Sequence, residues 1–364
     1  MTIFLSLVVA VYIHFSLHFL NRAADAAGFP KPSFVALQGL LAIAILALVT
    51  SHEAGHWIAG RAVGWRCLRL RMGPLALVRS GHGWKLRWTR WEVAGAVAFS
   101  PSGLEGYRKA DAIFTAGGPL ASIVFPLLCA GIAWQARSAA MFWLFGTLAQ
   151  WSVMGALSLV PMGKGLLRSD GYWLWGLMRG GYEADRRLRY MLVNMSHGTP
   201  LRPRDWPWEA MRPVIDAGSS CRDRHECYLA YKYLLDSGQT EAALPWLARL
   251  LEKWRKADPP EYALEAAFYL SVHAPDPDLA AKWLAAAGKD TEPWVRLRAQ
   301  SAVAWASGRQ DEARHLADRA LAQLRRAAPC GAVEYEKARL DGVEAARRQA
   351  SPPEVSCLPV GAGL

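Results

Sequence analysis

Charge is missing from long stretches of this 364-residue chain. Four runs, at about 2–21, 33–51 (continuing through a polar motif to about 60), 112–134 and 139–162, hold no Lys, Arg, Asp or Glu before Glu53. Each is long enough for a hydrocarbon core, which takes about 20 apolar residues. Their presence excludes a wholly soluble protein. Cysteine pairs are missing too: six cysteines (67, 129, 221, 227, 330, 357) form no C-x-x-C, which argues for free thiols in a reducing compartment. No basic segment precedes the first run, which also exceeds the usual 7–15 apolar residues of a signal peptide. That run therefore reads as a retained helix, although "AADAAG" (Ala23 to Gly28) resembles a cleavage site. The net charge is +11, yet no nucleic-acid-binding motif accompanies it, so nucleic acid is not an expected partner.

What is present divides the chain in two. Up to about residue 180 the apolar runs dominate; beyond it the sequence is charged and reads as soluble. The loop 61–109 carries ten Lys/Arg against Glu92 and Glu105, while 22–32 and 135–140 hold only Arg22, Lys31 and Arg137. The positive-inside rule places 61–109, and everything after 162, in the cytoplasm. Much of the positive charge is then a topology signal and an attraction to the anionic lipid bilayer. Within that loop, "CLRLRM" and "WKLRW" alternate around "SGHG", a pattern for a β-hairpin at headgroup level.

The second half turns helical from about 220. "LLDSGQTEAALPWLARLL" (234–251) and "AWASGRQDEARHLADRAL" (304–321) share Gly-x-x-x-x-Ala, and Gly238 and Gly308 are 70 residues apart. The midpoint falls in "SVHAPDPDLAAKWLAAAG" (271–288), a degenerate copy. A period of about 35 residues resembles the tetratricopeptide helix-turn-helix array. The Pro-rich stretch 184–219 is expected to be a linker and 351–364 a disordered tail.

Chemistry concentrates in "SHEAGH" (51–56), which follows eighteen uncharged residues. His52 and His56 are four residues apart, so both imidazoles leave one helix face and can converge on one metal. Glu53 is placed to act as general base on a metal-bound water. Polar residues at membrane depth mark function by default. Zinc needs a third protein ligand, and Asp170 is the candidate: it follows Pro161, Gly163 and Gly165, which break the fourth run. The second and fourth runs would end at similar depth, where His52, His56 and Asp170 could meet. A second pair, His14 and His18, shares the same spacing in the first run and offers another possible ligand pair or cavity lining.

HEAGH at the end of an apolar helix, the later "AGGPLASIVFPLL" (116–128), and Pro161 followed by Asp170-Gly171 together resemble the site-2 protease family of intramembrane zinc metalloproteases. The resemblance covers roughly 33–180. It implies one zinc held by His52, His56 and Asp170, Glu53 as base, and a substrate helix of a membrane protein cut within or near the bilayer. It also implies that Gly117, Gly118 and Pro119 allow close packing beside the site, with Ser158 and Pro161 near the substrate. Two departures stand out. The family commonly has Asn where this chain has Ser158, and about four extra residues separate Pro161 from Asp170. No stretch reads as the PDZ domain many relatives carry.

The expected architecture is an all-α membrane protein of about four transmembrane helices with a small β-hairpin insertion, followed by a soluble α-helical, tetratricopeptide-like domain. Residues 1–183 form the membrane metalloprotease domain and 220–350 a cytoplasmic domain that binds a protein partner or the substrate's own cytoplasmic part. Two rivals remain: a catalytically silent scaffold acting through its helical domain, and a metal transporter. The transporter would need more intramembrane ligands than His14 and His18 add.

Overall fold

The computed structural model describes residues 2–80, 83–88, 95–164, 167–221, 223–252, 254, 255, 258–288 and 291–349. The chain divides into two compact units, one built largely from residues up to Ala184 and one largely from Asp185 onward. The expected tail at 351–364 lies outside the described residues.

The first unit is organised by long apolar helices. α1 (Thr2–Ala26) is followed by α2 (Phe34–Ala62), which starts where the Ser33 side chain accepts the Ala36 N–H. After a four-stranded sheet come α3 (Tyr107–Trp134) and α4 (Ala139–Ser152), the latter capped by Ser138. Among the described residues three segments are long and apolar enough to cross a membrane: Phe34–Ala62, Tyr107–Trp134 and Ala139–Leu159. Four spans were expected; α1 is a helix of 25 residues but is not among these three. The fourth run also ends differently from expectation. Its α-helix stops at Ser152 and continues as a 3-10 turn, Val153–Leu159, so that the backbone is already tightened before Pro161. Helices α2, α3 and α4 pack on one another, and α5 (Asp170–Arg179) packs on α3.

The insertion is a sheet rather than a single hairpin. Strands β1 (Arg66–Met72), β2 (Leu75–Ser80), β3 (Gly83–Trp88) and β4 (Gly95–Ser100) lie in the order β3-β2-β1-β4. "CLRLRM" therefore pairs with "LALVRS", in antiparallel register Arg69 to Val78, and not with "WKLRW". The turn falls at Gly73, where φ is +58°, a conformation glycine adopts without a Cβ clash. β2 escapes a period-2 reading because "LALV" is apolar throughout.

The second unit is helical. The stretch 184–219 is not a linker. It forms most of α6 (Tyr182–Gly198) and all of α7 (Trp208–Ala217), and it buries Leu192, Met195, Trp206 and Met211 against Leu229. Its prolines misled the sequence reading: Pro203 opens a 3-10 turn and Pro207 precedes α7, positions where proline needs no N–H donor. Then come α8 (Arg224–Asp236), α9 (Thr240–Leu251), α10 (Pro260–Val272), α11 (Pro277–Ala286), α12 (Pro293–Ala306), α13 (Gln310–Arg326) and α14 (Gly331–Gln349). α8 packs on α9, α10 on α11 and α12 on α13, each pair joined by a short turn. Gly238 and Gly308 take φ of +78° in two of these turns, which explains their recurrence in the sequence.

A charged cluster lies inside this unit. Glu265 on α10 accepts from Arg298 of α12 (2.9 Å), Arg339 of α14 (2.6 Å) and Tyr231 of α8 (3.1 Å). Glu336 stands 2.7 Å from Arg298. Burial alone would raise the Glu265 pKa, but the two guanidiniums hold it well below the usual carboxylate range.

Candidate metal centre

The motif helix reaches its site through a glycine crossing. A Cβ on Gly55 would sit 2.2 Å from the Gly117 carbonyl oxygen, and one on Gly117 would sit 2.4 Å from that of Gly55. No side chain larger than hydrogen fits either position, so α2 and α3 meet backbone to backbone. Beyond the crossing, Phe99 packs against Gly60, and Phe99 and Trp65 contact Phe114 at ring distances of 5.4 and 5.2 Å. These contacts hold the C-terminal half of α2 against α3, one helical turn from the histidines.

His56 is buried, and its Nδ1 lies 2.9 Å from the Phe114 carbonyl oxygen. A carbonyl only accepts, so that ring nitrogen carries a proton, and in the neutral imidazole Nε2 then presents a lone pair. His52 places Nδ1 3.0 Å from the Ser122 hydroxyl. Both Nε2 atoms then turn toward each other, 3.2 Å apart, and toward Asp170: 3.1 Å from His52 to one carboxylate oxygen, 3.4 Å from His56 to the other.

Asp170 is delivered by the loop after the 3-10 turn. Gly163–Lys164 and Leu167–Arg168 pair as a two-stranded ribbon (β5, β6), which absorbs the extra residues. Ser169 closes it, accepting from the Met162 N–H at 3.0 Å, donating to the Val160 carbonyl at 2.6 Å and capping α5. Asp170 is therefore the first residue of α5, and the cap role belongs to Ser169. Gly171 lets the loop pass, since its Cβ would meet the Leu159 carbonyl at 1.8 Å. At the far end of α5, Arg108 of α3 donates to the Leu177 carbonyl at 2.6 Å and ties the helix down.

The three side chains form, among the described residues, the one group of three or more His, Cys, Asp or Glu able to hold a metal, with one ligand atom of each within 4.8 Å of the others. Zinc fits this set. Two imidazole nitrogens and a carboxylate are its common donors, and the outer Nδ1 atoms are already engaged.

The remaining expected residues fall around this point. Glu53 is buried on the same turn, against Gly95 of β4, whose Cβ would come within 2.3 Å of the Glu53 side chain. Gly118 faces the two imidazoles: a Cβ there would sit 2.3 Å from His56 Nε2 and 2.8 Å from His52 Nε2. Pro119 is buried inside α3, Pro161 is exposed just past the 3-10 turn, and Ser158 lies within that turn with a buried hydroxyl. His14 and His18 are exposed on α1 and do not join the cluster. Sequence reasoning missed Ser122, the Phe114 carbonyl and Gly95. Ser122 had a faint signal, since it stands one helical turn after Gly118 and so on the same face of α3.

A helix-borne His pair with a carboxylate from a following segment, set among helices of membrane-spanning length, defines a membrane metallopeptidase type of centre. The chain belongs to peptidase family M50, which it matches over residues 40–325. Members of that family are membrane-embedded zinc metalloproteases. No curated protein and no solved structure matches the chain.

Proposed function

We propose that this protein is an intramembrane zinc metalloprotease that hydrolyses peptide bonds in or near transmembrane segments of membrane proteins, as in regulated intramembrane proteolysis. One observation carries the reading: ligand atoms of His52, His56 and Asp170 converge within 4.8 Å of one another, and the buried Glu53 carboxylate lies on the same helix turn. Zinc, when bound there, lowers the pKa of a coordinated water and polarises the scissile carbonyl. Glu53 accepts the proton of the attacking water at a carboxylate oxygen and returns it to the departing amine nitrogen. Gly95 of β4 leaves room for the Glu53 side chain, since a Cβ there would come within 2.3 Å of it. Ser158 offers a hydroxyl for a substrate backbone in place of the longer amide of the family.

The second unit acts as a tetratricopeptide-like platform on the cytoplasmic side, binding a protein partner or the substrate's soluble part over 220–350. Tethering of this kind raises the effective concentration of the substrate at the site. A catalytically silent scaffold is the weaker reading, since it gives Glu53 no task.

The test is hydrolysis of membrane-protein substrates by purified, zinc-loaded protein in micelles or vesicles, beside Glu53→Gln. Cleavage by the parent and its loss in the variant, with zinc retained in both, supports the proposal. Equal cleavage by the two proteins, or none by the zinc-loaded parent across a set of transmembrane substrates, contradicts it.

A further inference from the structure

Two thiols meet in the second unit, between α7 and α8. Cys221 follows the short turn Gly218–Ser220 in extended backbone (φ −61°, ψ 119°), outside any helix and half-buried. Cys227 sits in the first turns of α8, only 2% exposed. Its S–H donates to the Cys221 sulfur, and the two sulfurs are 3.7 Å apart. Cys67, Cys129 and Cys330 are all buried.

We propose that Cys221 and Cys227 are a reversible dithiol–disulfide pair, oxidised by low-molecular-weight disulfides. The sulfurs must close from 3.7 Å to about 2.05 Å. Cys227 is fixed by its helix, so the movement falls on Cys221, whose backbone no helix restrains. The hydrogen bond from Cys227 lowers the Cys221 pKa, helped by the Arg249 and Arg189 charges and opposed by burial and Glu226. The same contact, with burial, raises that of Cys227. Cys221 is therefore the attacking thiolate.

Its sulfur attacks one sulfur of the small disulfide, forming a mixed disulfide and expelling one small thiolate. The Cys227 thiol then loses its proton to solvent and attacks the Cys221 sulfur. That bond replaces the mixed disulfide, and the second small thiolate leaves. Two protein thiols are oxidised and one small disulfide is reduced to two thiols.

The pair brackets a joint. Asp223, between the cysteines, caps α8 by accepting from the backbone N–H of His225 (2.9 Å) and Glu226 (3.3 Å). It also pairs with Arg186 and, at 3.1 Å, with the Tyr190 hydroxyl, both on α6. A disulfide would staple the segment that ties α6 to α8. The inference is independent of the metal centre, since neither cysteine belongs to the first unit.

The test uses the full chain in detergent, equilibrated in buffers of glutathione and glutathione disulfide, then alkylated and digested without reductant. Cleavage after Arg222 and Arg224 puts the cysteines in separate peptides, so the bond appears as a cross-linked pair. The expected result is that pair, formed about tenfold or more faster than any adduct on Cys67 or Cys129 and reversed by dithiothreitol. Cys227→Ser should hold a stable glutathione adduct on Cys221, while Cys221→Ser should form neither bond nor adduct at Cys227. Two free thiols in the parent, in buffers that oxidise an added reference dithiol, would overturn the proposal. So would a parent that stops at the Cys221 adduct without closing the bond.

Discussion

Two buried clusters of charged and polar side chains stand in this chain, and they are built on different logic. Around Glu265 donors meet acceptors. Two guanidiniums and a phenol turn toward one carboxylate. Around Asp170 two imidazole nitrogens and a carboxylate face one another at 3.1 to 3.4 Å, and at His56 the other ring nitrogen is already engaged with the Phe114 carbonyl. The first cluster sets guanidiniums against carboxylates of its own helices, whereas the second gathers three side chains of the kinds that ligate a metal. A count of buried polar residues would score them alike; the kinds of group that converge tell them apart.

The sharpest way to separate them is to damage each and read both. Glu53→Gln should lower peptide hydrolysis by about 10²- to 10⁴-fold while zinc content and the melting of the second unit stay as in the parent. A variant that kept its turnover would remove Glu53 from the chemistry. Glu265→Ala should leave Arg339 buried without its carboxylate and Arg298 with Glu336 alone, and destabilise the second unit by about 3–5 kcal/mol. Hydrogen exchange over α10, α12 and α14 reads that loss, and zinc per chain should not change. Zinc loss in this variant would mean that the two clusters are not independent.

Smaller effects test the supporting contacts. Ser122→Ala removes the hydroxyl beside His52 Nδ1 and should weaken zinc binding by about 10- to 100-fold, measured by competition with a chelator. Unchanged affinity would show that the hydroxyl does not orient the ring. The smallest expected effect concerns pH and falls on the second unit alone. Burial, then the Lys232 and Arg186 charges, holds His225 at about 4, and burial with Arg339 does the same for His273. Both are neutral in the folded chain, whereas in the unfolded chain they protonate near 6.5. Stability from this source is complete above about pH 6.5 and lost as pH falls toward 4. A denaturation midpoint flat between pH 7 and 5 would contradict it.

How much of this was legible in the sequence follows from what each feature depends on. His52, Glu53 and His56 could be read because their relation is local: one helix and one face, with spacing set by the helical period. Asp170 could be read because Pro161 and the glycines after it announce a broken helix. Ser122 and Gly95 could not. Ser122 stands 70 residues from His52, and Gly95 matters only through the room it leaves for Glu53, which no local pattern records. The Glu265 cluster was hidden for the same reason, since Arg339 is 74 residues away. β2 was hidden because an apolar strand shows no alternation, and α6 and α7 because prolines at helix starts look like those of a linker. The turns at Gly238 and Gly308 were visible in advance, since a positive φ leaves glycine as its mark.

The central claim is that the converging side chains of the first unit hold a metal. Zinc per chain in detergent-purified protein tests it most directly, measured beside His56→Ala and Asp170→Ala. The account predicts about one zinc in the parent, lost or much weakened in both variants, with the helical content of all three unchanged. A folded parent that binds no zinc, or an Asp170→Ala variant that binds it as tightly as the parent, would contradict the account.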